Sequence, residues 1–412
     1  MGSKKVELSE VAEIIMGQSP KGETYNNYGD GYPLLNGPSE FGEIYPIPEK
    51  WTTDPKRFSK EGDILFCVRG STGRMNWSDR DYSIGRGLCA IRAKTEKQID
   101  TYYIYYSLLS NLTILLNRGT GSVFPNLSKR DIHTFNIVWP QKSIRRDIAK
   151  KLRDLDDKIG LNQRMNGTLE AIARAIFKSW FVDFDPVRAK MAGEPYPLPG
   201  EIMALFPDEL VESELGMIPK GWEVLPLPEV IDFLEGPGIR NWQYTNSDEG
   251  IKFINIRCIK NHDLVLDTAN RITTEEAFGK YSHFNLQKDD LVISTSGTLG
   301  RFAIVREEHL PLILNTSVIR MRPMRPNCTL AFLRGYVETY LQRELEIRAS
   351  GSVQRNFGPT HLKQIKMIIP EKIILEMHNK YMEKNIRKSL QIRRESGFLT
   401  KIRDCLFQSL IY

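Results

Sequence analysis

The chain repeats itself once, and that repeat constrains the fold more than any composition figure does. Val6-Glu7-Leu8-Ser9-Glu10-Val11 aligns with Leu225-Pro226-Leu227-Pro228-Glu229-Val230 at an offset of 219. Leu34-Leu35-Asn36 matches Phe253-Ile254-Asn255 at the same offset. Gly62-Asp63-Ile64-Leu65-Phe66 faces Asp289-Asp290-Leu291-Val292-Ile293 at 227, a register that lays Gly70, Gly73 and Arg74 over Gly297, Gly300 and Arg301. Gly121-Ser122-Val123, with Asn126 and Leu127, matches Gly351-Ser352-Val353, Asn356 and Phe357 at 230. Val138-Trp139-Pro140 matches Ile368-Ile369-Pro370 at that same offset. Four blocks in one order, drifting by small loop insertions, mean two copies of one domain. Solenoid repeats run about 20–50 residues, so a period this long excludes them.

Each copy reads as mixed structure. Residues 64–68 and 291–294 predict short strands, rich in β-branched or large apolar side chains and bounded by Gly and Asp. Residues 101–117 and 330–349 predict helices with apolar faces. Trp139-Pro140 and Ile369-Pro370 close the globular parts, because the residue before Pro avoids the helical region and Pro suits a helix start.

Beyond each junction a heptad seam begins. Ile148, Leu152, Leu155, Ile159, Asn162, Asn166, Leu169, Ala173, Ile176 and Trp180 step by 4 and 3. Their counterparts at offset 230 are His378, Met382, Asn385, Ser389, Ile392, Ser396, Leu399, Arg403, Leu406 and Leu410. Gly160, Gly167 and Gly397 each cost about 1 kcal/mol against Ala in a helix interior, so the two helices are expected to support each other. Asn162 and Asn166 suit register-setting polar positions. The alternative is a core helix packed on its own domain. The expected division is 1–140 and 221–370 for the globular copies, 141–190 and 371–412 for the helices, and 191–220 for an acidic, Pro-rich linker.

Charge follows the same division. Residues 141–190 hold 12 Lys and Arg against 7 Asp and Glu, and 191–220 hold 1 against 6. The globular copies are almost balanced, at 17 against 16 and 18 against 17. A polyanion would therefore be met by local loops, not by a global field. Five scattered Cys without a C-x-x-C suit free buried thiols in a reducing, cytoplasmic setting. No apolar run reaches the ~18 residues of a membrane helix, and no signal peptide is expected. The six His show no metal-ligand spacing. There is no P-loop, no Pro-Pro dipeptide for an amino-methyltransferase clamp, and no Glu-x-Lys. The triplets Asp54–Lys56 and Asp156–Lys158 lack the upstream Pro-Asp of a restriction-type nuclease. Catalysis is not expected of this chain.

The block Phe181-Val182-Asp183-Phe184-Asp185-Pro186-Val187-Arg188-Ala189-Lys190 is followed by Ala204-Leu205-Phe206-Pro207-Asp208 and Glu214-Leu215-Gly216-Met217-Ile218-Pro219-Lys220-Gly221-Trp222. With two divergent domains each trailed by a similar helix, the chain resembles the specificity subunit of a type I restriction–modification system over its whole length. The resemblance implies an α+β, pseudo-twofold architecture, with two homologous mixed α/β target-recognition domains separated by two long antiparallel coiled-coil helices. It implies that each domain reads half of a split site in double-stranded DNA. Two methyltransferase subunits, carrying S-adenosylmethionine and adenine-N6 chemistry, would dock on the chain, and motor-nuclease subunits would join for cleavage. The chain itself would bind no cofactor.

Candidate contacts follow from side-chain chemistry. Arg69, Ser71, Thr72 and Arg74 follow one predicted strand, and Ser296, Thr298 and Arg301 follow its mate. Hydroxyls there can bond phosphates or base edges, Arg can take guanine bidentately, and glycines permit close approach. A plain Gly-rich turn is the alternative. Thr120, Ser122 and Phe124, with Ser352, Gln354 and Arg355, form a second pair of loops that a helix cap or turn would equally use. Lys21, after Gly17-Gln18-Ser19-Pro20, is a third candidate. The Tyr-rich run at 102–106 reads as core. Two rival readings stand beside this one: a self-contained DNA-modifying enzyme, and a coiled-coil scaffold without a nucleic-acid role.

Overall fold

The structure is a computed structural model that describes residues 4–95, 97–120, 125–324, 328–348 and 357–411. The chain forms two compact units, Met1–Leu161 with Ser396–Tyr412, and Asn162–Glu395.

In the first unit a four-stranded antiparallel sheet runs in the order Ala12–Met16, Leu88–Ala93, Ile64–Cys67, Met75–Trp77. Successive strand side chains point to opposite faces. Ile64 and Phe66 accordingly enter one core with Ile104, Leu108 and Phe135, while Leu65 and Cys67 enter another with Leu35 and Ile84. Both faces are covered, which is why the strand reads as an unbroken apolar run. The second core is closed by a sheet of five short strands, in which Tyr32–Leu35 and Tyr82–Ile84 pair in parallel. Tyr103 and Tyr106 are buried, so the Tyr-rich run is core. The expected helix over 101–117 is instead Gln98–Ser110 and Leu112–Leu116. The break falls at Asn111, whose amide donates to the Ser107 carbonyl at 3.0 Å and competes with the backbone ladder.

The second unit repeats this frame. Ile231–Glu235, Val318–Pro323, Leu291–Ser294 and Phe302–Ile304 form a sheet of the same order. Leu291 and Ile293 face one core, and Val292 the other. The helix beginning at Leu330 is N-capped by Thr329, whose hydroxyl accepts from the Phe332 N–H at 3.2 Å. It widens into a π-helical segment, Val337–Leu341, before continuing to Arg348. A Cβ on Gly335 would lie 2.1 Å from the Phe177 ring, so only glycine admits that contact.

The long helices are Lys142–Phe181 and Lys372–Ile411. The first ends short of residue 190 because Phe184 takes a left-handed conformation (φ 57°), and a separate helix, Asp185–Ala192, follows. In the second unit Asn162 donates to Glu395 at 3.1 Å and Asn385 donates to the Leu169 carbonyl at 3.2 Å. Partner numbers fall as the first helix advances, so the segments run antiparallel. Leu152 and Asn162 of the seam are buried, as are Met382 and Ile392; Leu155, Ile159, Leu169, Ile176, Leu399 and Leu406 are half-buried.

The segment expected as a linker is folded. Leu210–Ser213 and Gly216–Pro219 form a hairpin. Ile202, Phe206 and Ile218 are buried in one core with Phe181, Phe184 and Trp222. Its acidic residues lie outward between widely spaced apolar anchors. Four of the five cysteines are buried, whereas Cys405 is exposed.

Candidate nucleic-acid interface

One hydrogen-bond frame builds the candidate loops in both units. In the first, the Gly73 N–H donates to the Cys67 carbonyl at 2.9 Å and the Val68 N–H to Gly87 at 2.8 Å. The Leu127 N–H donates to the Val68 carbonyl, and the Gly17 N–H to Leu88. In the second, Gly300 donates to Ser294, Thr295 to Ser317, Phe357 to Thr295, and Gly236 to Val318. Three loops, with Leu127 in one copy and Phe357 in the other, therefore share one edge in each unit. Gly70, Gly73, Gly297 and Gly300 all have positive φ, between 64° and 93°. A Cβ on Gly300 would lie 2.1 Å from Gln342 Oε1, so this glycine is explained by the turn and its packing.

The contact argument therefore rests on side chains. Arg69 and Ser71 are exposed, while Thr72 is half-buried, its hydroxyl without a partner among the described residues. Arg74 is exposed and donates to the Pro38 carbonyl at 3.2 Å, and Arg301 is exposed at the matching place. Ser296 is half-buried, and Thr298 is exposed with its carbonyl accepting from Ser294 Oγ at 2.7 Å. Thr120 pairs with Asn126 in a bridge that closes its loop. Lys21 is exposed opposite Glu23, 3.7 Å away. Ser122, Phe124, Ser352, Gln354 and Arg355 lie outside the described residues.

The structure adds residues that motif reading passed over. Arg86 is exposed, with its backbone N–H donating to Ser19 Oγ at 3.2 Å. Trp242 is 80% exposed beside the exposed Arg240. Their loop is held by buried Gln243, which donates to Glu276 and Tyr281, and by Asn315, which accepts from the Ile239 N–H. The 219 register that aligns the first block also sets Arg240 over Lys21, a signal available in the sequence.

Beside Arg301 lies a groove of about 690 Å³, lined also by Arg174, Lys260, His262, Glu338 and Gln342. Two of its lining residues, His262 and Glu338, belong to an ionic cluster. Glu170 accepts from Arg393 and bonds His262 Nδ1 at 3.2 Å, with Arg334 3.6 Å away. Burial alone would raise the Glu170 carboxyl, but the His262 hydrogen bond and the Arg393 and Arg334 charges hold it at about 2. Arg334 also donates to Glu338 at 3.0 Å, and His262 stacks on Phe302 with ring centroids 4.4 Å apart. Among the described residues no cluster of three or more His, Cys, Asp or Glu could hold a metal, and no helix is long and apolar enough to cross a membrane.

Comparison with known proteins returns the same two-part pattern. The family model described as the type I restriction modification DNA specificity domain matches residues 2–171 and 219–392. The putative type I restriction enzyme MjaX specificity subunit of Methanocaldococcus jannaschii is 34% identical over 187 residues. That match spans 42% of this chain and less than half, 44%, of the relative. The HindI specificity subunit of Haemophilus influenzae is 26% identical over 406 residues, covering 86% of this chain and 87% of its own. A crystal structure of a type I restriction–modification S subunit from M. genitalium shares the fold, with a TM-score of 0.61 at 16% identity over 100% of this chain and 96% of that one. The family match spans both repeated halves, and the chain belongs to the type I restriction modification DNA specificity domain family.

Proposed function

We propose that this chain is the DNA-reading subunit of a type I restriction–modification complex, each globular domain binding one half of a bipartite target in double-stranded DNA. The observation that carries this reading is the duplicated loop frame with unequal side chains. Arg74 and Arg301 occupy one place in both copies, whereas Arg69 and Ser71 stand where the second copy has Ser296 and Thr298. Shared cations suit phosphate positioning, and differing side chains suit different bases.

The long helices are the elements this reading assigns to half-site spacing and to docking two methyltransferase subunits. Those subunits hold S-adenosylmethionine and perform adenine-N6 transfer, and motor-nuclease subunits join for cleavage. The chain contributes recognition and no bond-making step, and it works in the cytoplasm.

Methylome sequencing of a host expressing the chain with its methyltransferase subunit tests this. A bipartite methylated motif is expected. Arg74→Ala should keep the motif but lower its occupancy, while Arg69→Ala should relax the first half alone. A change confined to the half read by the second domain would overturn the one-domain, one-half assignment.

A further inference from the structure

The groove beside Arg301 holds three cations from three separate elements. Arg174 projects from the first long helix, Lys260 from the hairpin Ile259–Lys260 with Asp263–Leu264, and Arg301 from the loop before Phe302–Ile304. All three are exposed, and among the described residues none has a carboxylate partner. The nearby carboxylates are already paired: Glu338 of the lining with Arg334, and Glu170, bonded to the lining residue His262, with Arg393. The groove therefore presents three uncompensated positive charges, and its one lining carboxylate, Glu338, is paired with Arg334.

The cluster also fixes where those charges stand. Arg174 lies one helical turn beyond Glu170, which Arg393 and His262 pin. Arg393 donates in addition to the Asn261 carbonyl, tying the Lys260 hairpin to the C-terminal helix. Gln342 donates to the Gly300 carbonyl at 2.7 Å and holds the Arg301 loop. The π-helical segment carries Glu338 into the lining between them.

We infer that Arg174 and Lys260, with Arg301, form a backbone-phosphate site for duplex DNA, so that the long helix itself takes part in holding the DNA read by the second domain. An open groove with long, separately rooted cations suits a repeated anion and fixes no base-edge geometry. Charge balance points the same way. The second globular copy carries 18 cationic against 17 anionic residues, so its attraction for a polyanion must be local. At offset 230 the residue matching Arg174 is Asp404, so the site belongs to the second domain alone.

This inference rests on the DNA-reading function and is tested separately from it. The full chain, assembled with its methyltransferase subunits, is titrated with a linear duplex of scrambled sequence over a series of salt concentrations. Each lost phosphate contact should lower the slope of log affinity against log salt by about 0.9, so the Arg174→Ala, Lys260→Ala double variant should lose about 1.8. Arg174→Lys should restore its share, and the methylated motif should keep its sequence. A double variant that folds and binds with the wild-type slope, while the wild-type complex binds DNA, would overturn the phosphate site alone. A wild-type complex that binds no duplex and methylates no motif would overturn the DNA-reading function with it.

Discussion

Asp156 on the first long helix accepts a hydrogen bond from Arg403 on the C-terminal helix at 2.8 Å, and its other oxygen accepts from the Tyr106 hydroxyl at 2.5 Å. One carboxylate thus ties two helices to a buried aromatic of the first recognition domain. Both charged side chains are partly exposed, so solvent weakens the pair. Asp156→Ala should destabilise the first unit by about 1–2 kcal/mol, the scale of a charge-assisted hydrogen bond partly screened by water. A double-mutant cycle with Arg403→Ala in urea unfolding measures the coupling, and a coupling near zero would show that the contact holds nothing.

In the second unit the corresponding tie is Glu170 with Arg393 and His262, and it is more deeply buried. Glu170→Gln should cost about 3 kcal/mol, because it leaves Arg393 and Arg334 without their shared carboxylate. The Glu170 carboxyl sits at about 2 in the folded protein against an ordinary 4.5. Its stabilisation is therefore complete above pH 4.5 and is lost as the pH falls from there towards 2. The wild-type minus variant stability difference, followed by denaturant unfolding at a series of pH values, should shrink across that window.

His378 costs stability where Glu170 adds it, although both make the fold weaker as the pH falls. It is buried among Phe177, Trp180 and Phe181, and neither ring nitrogen has a partner among the described residues. Burial pushes its imidazole down to about 3 from 6.5, so the unfolded chain takes up a proton that the folded one refuses. Stability drains away as the pH falls from 6.5 towards 3. His378→Leu should raise stability at neutral pH by about 1–3 kcal/mol and flatten that part of the pH profile. A variant as acid-sensitive as the wild type over that range would contradict the assignment.

Trp242 offers a wide apolar surface on a loop that is hydrogen-bonded to the Arg301 loop through residues 315–317. Trp242→Ala should leave the unfolding midpoint unchanged and weaken binding to the native motif by about 1–3 kcal/mol, the range of a lost base contact. The loss should appear in the second half-site only, read by methylation occupancy on a panel of single-base variants.

The duplicated frame was legible because turns at Gly73 and Gly300, and apolar strands such as 64–67 and 291–294, demand the same residue types twice. The seam was legible for the same reason: a buried helix face repeats by 3 and 4. The five-stranded sheet was not, since strands as short as Tyr25–Asn26 and Phe58–Ser59 carry too few residues for a period. The folded connector was hidden by its prolines and acids, which outnumber the buried Ile202, Phe206 and Ile218. The helix end at Phe181 depends on a left-handed Phe184, a conformation that composition does not signal. The groove could not be seen at all, because Arg174, Lys260 and Arg301 meet only through tertiary structure.

The packed connector changes what holds the chain together. Residues 191–200 are nearly all exposed, yet Phe181, Phe184 and Val187 before them and Ile202 and Phe206 after them enter one core. A protease that cuts within this stretch severs the polypeptide without releasing either flank, since both remain buried in the same apolar cluster. The nicked protein should elute as one particle until denaturant is added, and two half-chains meeting at this point could be expressed separately and reassemble.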